Sequence, residues 1–203
     1  MAKLPYSYFQ NSDVNFLAAD LLGKYLITSI GDVVTGGIIT ETEAYKGVED
    51  KASHAYGGRF TNRTQTMYED GGLSYVYLCY GIHHLFNVVT GSKGVPHAVL
   101  IRGIEPVIGL EHMLERRKMP SLKPNLTAGP GALSKAMAIE KNLNAADLQG
   151  EQIWIEDRGL HFRNEEIIAC PRVGVDYAED HALLPWRYYI RGNKFVSKPN
   201  NYI

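Results

Sequence analysis

Residues 73–89, LSYVYLCYGIHHLFNVV, alternate in a way that fits an extended chain better than a helix. Successive strand side chains point to opposite faces, so Leu73, Tyr75, Tyr77 and Cys79 share one face, and Val76, Leu78 and Tyr80 take the other. Gly81 supplies the positive φ of a tight turn, after which Leu85 to Val89 resumes an apolar run. The pattern predicts a β-hairpin with Tyr80 at its tip and Tyr75 and Tyr77 on one flank. Earlier, Val14, Leu17, Ala18, Leu21 and Leu22 recur at helical spacing, with Ser12 or Asp13 as cap and Gly23 as terminator. Residues 25–30 and 33–45 are rich in β-branched side chains around Gly31-Asp32 and read as a second hairpin. Between the hairpins, residues 46–72 keep no period, which predicts a long loop of the kind that carries function.

Further on, residues 97–103 read as a buried strand closed by Arg102, and Glu105-Pro106 predicts a helix start running to about Lys118. Pro120, Pro124 and Pro130 interrupt the chain before a helix over 131–141, and short strands are expected at 152–156, 167–169 and 186–190. Neither an internal repeat nor a linker divides the sequence. Together these elements predict one mixed α/β (α+β) domain over residues 1–203: a curved, mostly antiparallel sheet, flanking helices and a protruding hairpin.

Composition narrows the class. With 203 residues, 45% hydrophobic and 21% charged, the chain has the make-up of a globular protein. No apolar run approaches the roughly 20 residues of a membrane span, and the start MAKLPYSYFQNSD lacks a signal h-region, so a cytoplasmic protein is expected. The two cysteines, Cys79 and Cys170, are expected as buried thiols rather than as a disulfide or zinc site. Net charge is −1, from 21 basic and 22 acidic residues, which predicts modest nonspecific attraction to nucleic acid. Two segments are nonetheless basic. One holds Arg116, Arg117, Lys118, Lys123 and Lys135 against Glu115; the other holds Arg187, Arg191, Lys194 and Lys198 with no acid. Either solvated surface or a phosphate-facing patch fits them.

The candidate chemistry starts at GIITETEAY, where Glu41, Glu43 and Tyr45 have one parity and project from one side of a strand. A solvated edge explains two glutamates as well as a general base facing an apolar, aromatic surface does. Arg102 is the natural partner of such a carboxylate, or else an ordinary ion-pair residue. Tyr75 and Tyr77 fit core packing or a stacking platform. The seven histidines form no HExxH, no GxxxxGK[ST] or GxSxG occurs, and His83-His84 suits a polar turn, so neither a metal nor a cofactor is expected.

ETEAY, the GxEDxAxH of residues 47–54, GGR at 57–59, LxYVYxxYG at 73–81 and Asn87 together resemble the alkyladenine (3-methyladenine) DNA glycosylase family of mammalian type, in a bacterial form. The likeness continues through LIRGIEP, GPGxLxxAxxI, RVGV and RYYIRGNxxVS, in order along nearly the whole chain. The resemblance implies a fold similar to the C-terminal domain of methionyl-tRNA formyltransferase. It implies that Glu43 activates the attacking water, which Arg102 and the backbone carbonyl of Val173 hold. Tyr45, His54 and Tyr77 would wall a flipped base, the backbone at Ala52 and His54 would meet its edge, and Asn87 would obstruct the exocyclic amine of guanine. Tyr80, in the Tyr80-Gly81-Ile82 turn, would enter the DNA stack from the minor groove and fill the gap.

Those roles suit the chemistry. A base inside a duplex must be extruded at a cost of a few kcal/mol, and a tip aromatic offsets part of it. Purines alkylated at N3 or N7 are cationic, so electron-rich rings add about 0.5 to 2 kcal/mol of cation–π attraction. The resemblance therefore implies a monofunctional enzyme acting as a monomer on double-stranded DNA with damaged purines. It would need no metal or cofactor, work in the cytoplasm at the nucleoid, and consist of the catalytic domain alone. Its substrates would be 3-methyladenine and 7-methylguanine, with hypoxanthine and ethenoadenine left open. Two alternatives remain at this stage: a noncatalytic nucleic-acid-binding module stacking bases on the same tyrosines, and a bifunctional glycosylase and lyase using Lys46 or Lys51 as nucleophile.

Overall fold

The computed structural model describes residues 2–197. Its frame is one antiparallel sheet of nine strands. The strands are β1 (Ala2–Lys3), β2 (Tyr25–Ile30), β3 (Val33–Tyr45), β4 (Ser74–Cys79), β5 (His83–Thr90), β6 (His97–Ile108), β7 (Ile153–Asp157), β8 (Ile167–Cys170) and β9 (Arg187–Ile190). The main path runs β1-β7-β2-β3-β6-β5-β4, and β9 joins β3 on one side and β8 on the other. Helices α1 (Tyr6–Phe9), α2 (Val14–Asp20), α3 (Leu110–Arg117) and α4 (Pro130–Ala136) complete the α+β fold. The Lys198 position in the second basic segment lies outside the described residues.

Strand β3 changes neighbours along its length. Its first half pairs with β2, from Ile30↔Val33 to Tyr25↔Ile38, whereas Glu41, Thr42 and Glu43 pair with β9. Register shifts against β6 on either side of Glu41 bend the strand where the exchange occurs. Both glutamates thus lie in the middle of the sheet, with β6 on one side and β9 on the other.

Alternation then gives the sheet two unlike faces. On one, Ala44, Val76, Phe86, Val88, Val99 and Ile101 join the α2 residues Leu17 and Ala18 and the α4 residues Leu133 and Ala136 in the main core. Asp13 caps α2 as expected, accepting from the amides of Asn15 and Phe16. On the opposite face the intervening residues Glu43, Tyr45, Tyr75, Tyr77, Asn87 and Arg102 turn toward the 46–72 loop. That loop contains three short 3-10 turns, Gly47–Glu49, Tyr56–Gly58 and Gln65–Tyr68, and brings Met67 and Ala55 against Tyr75. Period two in the sequence is therefore what separates core from site.

Four expectations need correction. Glu105-Pro106 does not open a helix: β6 continues to Ile108, and α3 begins at Leu110. Pro106 is tolerated because β5 pairs with β6 only between His97 and Leu100, and because the register against β3 breaks at Gly36/Gly37. There Gly37 lies so close to Glu105 that a Cβ would stand 2.4 Å from the Glu105 carbonyl oxygen. The helix expected over 131–141 stops at Ala136, since Ala138 adopts φ 54°. Cys79 is half-buried rather than buried, whereas Cys170 is buried as expected. Arg187 is not surface charge, being 1% exposed beneath β3.

Candidate active site

Glu41 and Glu43 are both fully buried, which excludes the solvated-edge reading. Their surroundings differ. Glu41 is saturated: Arg102 Nε donates to Oε1 at 2.8 Å, Arg187 Nη1 at 3.2 Å and Ser197 Oγ at 3.0 Å, while the Ser197 amide donates to Oε2 at 2.7 Å. Glu43 has fewer partners. The Val173 amide donates to its Oε1 at 2.7 Å, the Tyr45 hydroxyl to its Oε2 at 2.9 Å, and Arg102 Nη1 stands 3.4 Å from Oε1. Val173 thus meets Glu43 through its N–H, a contact that the sequence reading, framed on its carbonyl, did not include. Burial tends to discharge Arg102, but Glu43 and Glu41 outweigh it and hold the guanidinium above its ordinary range.

Tyr45, Arg102 and Val173, the three groups touching Glu43, all line an open recess of about 390 Å³ shared with Tyr77, Tyr80 and Tyr177. Glu43 therefore sits one hydrogen bond behind the recess wall. Deeper in, a slot of about 40 Å³ is bounded by Tyr45, Ala52, His54, Tyr75, Tyr77 and Asn87. Burial, reinforced by the neighbouring carboxylate of Glu43, drives the Tyr45 phenol well above its usual range, so it stays a donor. His54 meets Tyr77 edge-on at 4.6 Å and 80°. Its Nδ1 lies 2.9 Å from the Tyr75 hydroxyl and its Nε2 lies 3.1 Å from Arg63 Nη2. Burial first, then Arg63 and Arg59, lower its pKa to about 4, so the ring is neutral at physiological pH. Asn87 is fixed across the hairpin by donating to the Tyr75 carbonyl at 3.0 Å.

Tyr45 is held from behind. Arg172 stacks on its ring at 4.8 Å, binds both oxygens of buried Asp50, at 2.5 and 2.8 Å, and donates to the Ala44 carbonyl. The pair ties the 46–55 stretch to β3, which places Ala52 and His54. At the far end, the β4–β5 hairpin projects as expected: Tyr80 is 91% exposed, Ile82 is 73% exposed, and Gly81 adopts φ 71°. Tyr80 itself has φ 50°, an uncommon value for a bulky residue.

Of the residues singled out in the sequence, Tyr45, Tyr77, Tyr80, Arg102 and Val173 line the recess, Ala52, His54 and Asn87 line the slot, and Gly81 and Ile82 lie at the hairpin tip, whereas Glu43 stands behind the wall and Glu41, Lys46 and Lys51 line neither space. Arg63 and Tyr177, which the sequence did not mark, join them, as does Tyr75, for which the sequence left core packing and a stacking platform open. Arg63 stacks on Tyr77 at 4.8 Å, Tyr177 donates to the Ala52 carbonyl at 3.1 Å, and Tyr75 lines the slot. Arg63 and Tyr177 come from aperiodic segments and left no signal, whereas Tyr75 shared the parity of Tyr77. Among the described residues no group of three or more His, Cys, Asp or Glu is placed to hold a metal ion, and no helix is long and apolar enough to cross a membrane.

Comparison with other proteins shows the family to which the chain belongs. The family model described as methylpurine-DNA glycosylase matches residues 8–194. A Chlamydia felis protein named "Putative 3-methyladenine DNA glycosylase" is 47% identical over 193 residues, covering 94% of this chain and 97% of its own. Relatives of the same name from Clostridium perfringens and Natranaerobius thermophilus are each 45% identical, covering 94% and 96% of this chain and 97% and 98% of their own. The protein is thus a DNA glycosylase, a hydrolase of N-glycosyl bonds. Within that class, it belongs to the methylpurine-DNA glycosylase family.

Proposed function

We propose that the protein excises alkylated purines, 3-methyladenine and 7-methylguanine first among them, from duplex DNA by hydrolysis of the N-glycosidic bond, with Glu43 activating the attacking water. The observation that carries the reading is the position of Glu43, fully buried yet touching three groups of the recess wall. The damaged nucleotide leaves the stack, its base enters between Tyr45, His54 and Tyr77, and Tyr80 takes the vacated place. The slot is narrow in the free protein, so the rings part to admit the base. Glu43 accepts a proton from a water held beside Arg102 and Val173 while that water attacks C1′, and the electrons of the glycosidic bond leave with the purine. A cationic purine departs neutral and needs no acid.

A lyase step has less support. Lys51 is paired to Asp180 at 2.8 Å and Glu179 at 2.7 Å, which raise its pKa, and Lys46 lies 3.1 Å from Glu49. A lysine nucleophile needs the opposite shift. We place the enzyme, working as a monomer, on chromosomal DNA in the cytoplasm. The test is Glu43→Gln. Single-turnover release of 3-methyladenine from methylated duplex should fall by about 10² or more, with lesion-duplex affinity within about twofold. Retained turnover removes Glu43 from this role.

A further inference from the structure

Arg63, His54 and Tyr75 form a chain whose proton positions are fixed by chemistry. A guanidinium has no acceptor, so the Arg63 Nη2 contact of 3.1 Å requires His54 Nε2 to be unprotonated. The neutral imidazole must then carry its proton on Nδ1, which lies 2.9 Å from the Tyr75 hydroxyl oxygen. Nδ1 donates, and the Tyr75 oxygen accepts. With its oxygen accepting from His54, Tyr75 has its own hydroxyl proton to place, and among the described residues no further group lies within hydrogen-bond distance to accept it. The residue is 2% exposed and lines the slot alongside Tyr45, Tyr77 and Asn87. A buried hydroxyl proton without an acceptor is costly unless something entering the slot receives it.

We propose that Tyr75 is a specificity-determining residue of the glycosylase, donating its hydroxyl proton as a hydrogen bond to a ring nitrogen or carbonyl oxygen of the bound purine, with Arg63 as the residue that positions the donor through His54. The inference rests on the slot receiving the base, as proposed above. An uncharged purine leaves as an anion, so a hydrogen bond to it is stronger in the transition state than before it. A cationic purine leaves neutral and gains less. Burial raises the Tyr75 phenol to about 12, which suits hydrogen-bond donation without loss of the proton. The base and the donor exchange no covalent bond; the water supplies the atoms of hydrolysis.

Tyr75→Phe keeps the ring and removes the proton. Single-turnover release of hypoxanthine should fall at least about tenfold, while release of 7-methylguanine changes less than about threefold. Equal losses, no loss, or a wild type that releases 7-methylguanine but no hypoxanthine each overturn the proposal. A second measurement reads the relay independently of activity. Nitrogen-15 spectra of His54 at neutral pH should show Nδ1 protonated and Nε2 bare, with the preference lost in Arg63→Gln; a protonated Nε2 in the wild type overturns the assignment. A wild type that releases neither lesion overturns the substrates proposed above, and the spectra still decide whether the relay exists.

Discussion

The Val173 amide donates to Oε1 of Glu43 at 2.7 Å, joining two residues far apart in sequence. With the Tyr45 hydroxyl on Oε2, it fixes the carboxylate plane, and Arg102 Nη1 pairs with Oε1 at the longer distance of 3.4 Å. Glu41, two residues earlier, receives two arginines and Ser197. The neighbouring acids thus differ in their surroundings: Glu41 ties β3, β6 and β9 together, and Glu43, with fewer partners, is the one to which the proposed function gives the chemistry.

That difference predicts opposite phenotypes. Glu41→Ala leaves Arg102 and Arg187 buried without their shared acceptor, and should cost about 3–5 kcal/mol of stability in urea denaturation. Glu43→Gln keeps the shape and an acceptor oxygen, and should cost less than about 1.5 kcal/mol. Equal losses would contradict the assignment of structural work to Glu41.

Tyr80 supports no core, so Tyr80→Ala should leave stability within about 0.5 kcal/mol. Relief of its positive φ is not expected, since alanine meets the same backbone restriction. Affinity for a lesion-bearing duplex should weaken by about 1–3 kcal/mol, the range for loss of one aromatic stacking contact. Fluorescence anisotropy on matched lesion and undamaged duplexes measures it; unchanged affinity would remove Tyr80 from the DNA interface.

His54 makes stability depend on acid. Its pKa is about 4 folded and roughly 6.5 unfolded, so between these values the unfolded chain binds the extra proton. Stability contributed by the neutral ring is complete above the unfolded value and declines as pH falls toward the folded one, with a slope of at most about 1.4 kcal/mol per pH unit. Urea melts of wild type and His54→Asn across pH 4 to 7.5 should differ in slope over that window. Parallel profiles would place the titration elsewhere.

Asp50 and Arg172, both fully buried, bind in a bidentate pair. Asp50→Ala should destabilise the protein by about 3–5 kcal/mol through the stranded guanidinium. Amide exchange should rise first in residues 46–55, which the pair tethers, ahead of β5 and β6. Uniform exchange across the sheet would show that the pair acts globally.

The features legible in the sequence were those set by short-range rules. Alternation and Gly81 placed Tyr80 at a hairpin tip, and parity placed Glu41, Glu43 and Tyr45 on one face. What separated the two glutamates was invisible locally, because apart from Tyr45 their donors come from positions 102, 173, 187 and 197. Pro106 misled for a related reason: a proline inside a strand reads as a break unless one knows that no neighbour awaits its missing N–H. Arg63 and Tyr177 reach the recess from stretches without period, where only the folded chain brings them together.

The hairpin tip has a kinetic consequence. Tyr80 and Gly81 both adopt left-handed backbone angles, φ 50° and 71°, so the phenol is aimed outward before any duplex is met. Its ordering entropy falls within folding rather than within each encounter. On the proposed role of Tyr80, a ring already turned outward lets every fruitless collision with intact DNA end as quickly as it began.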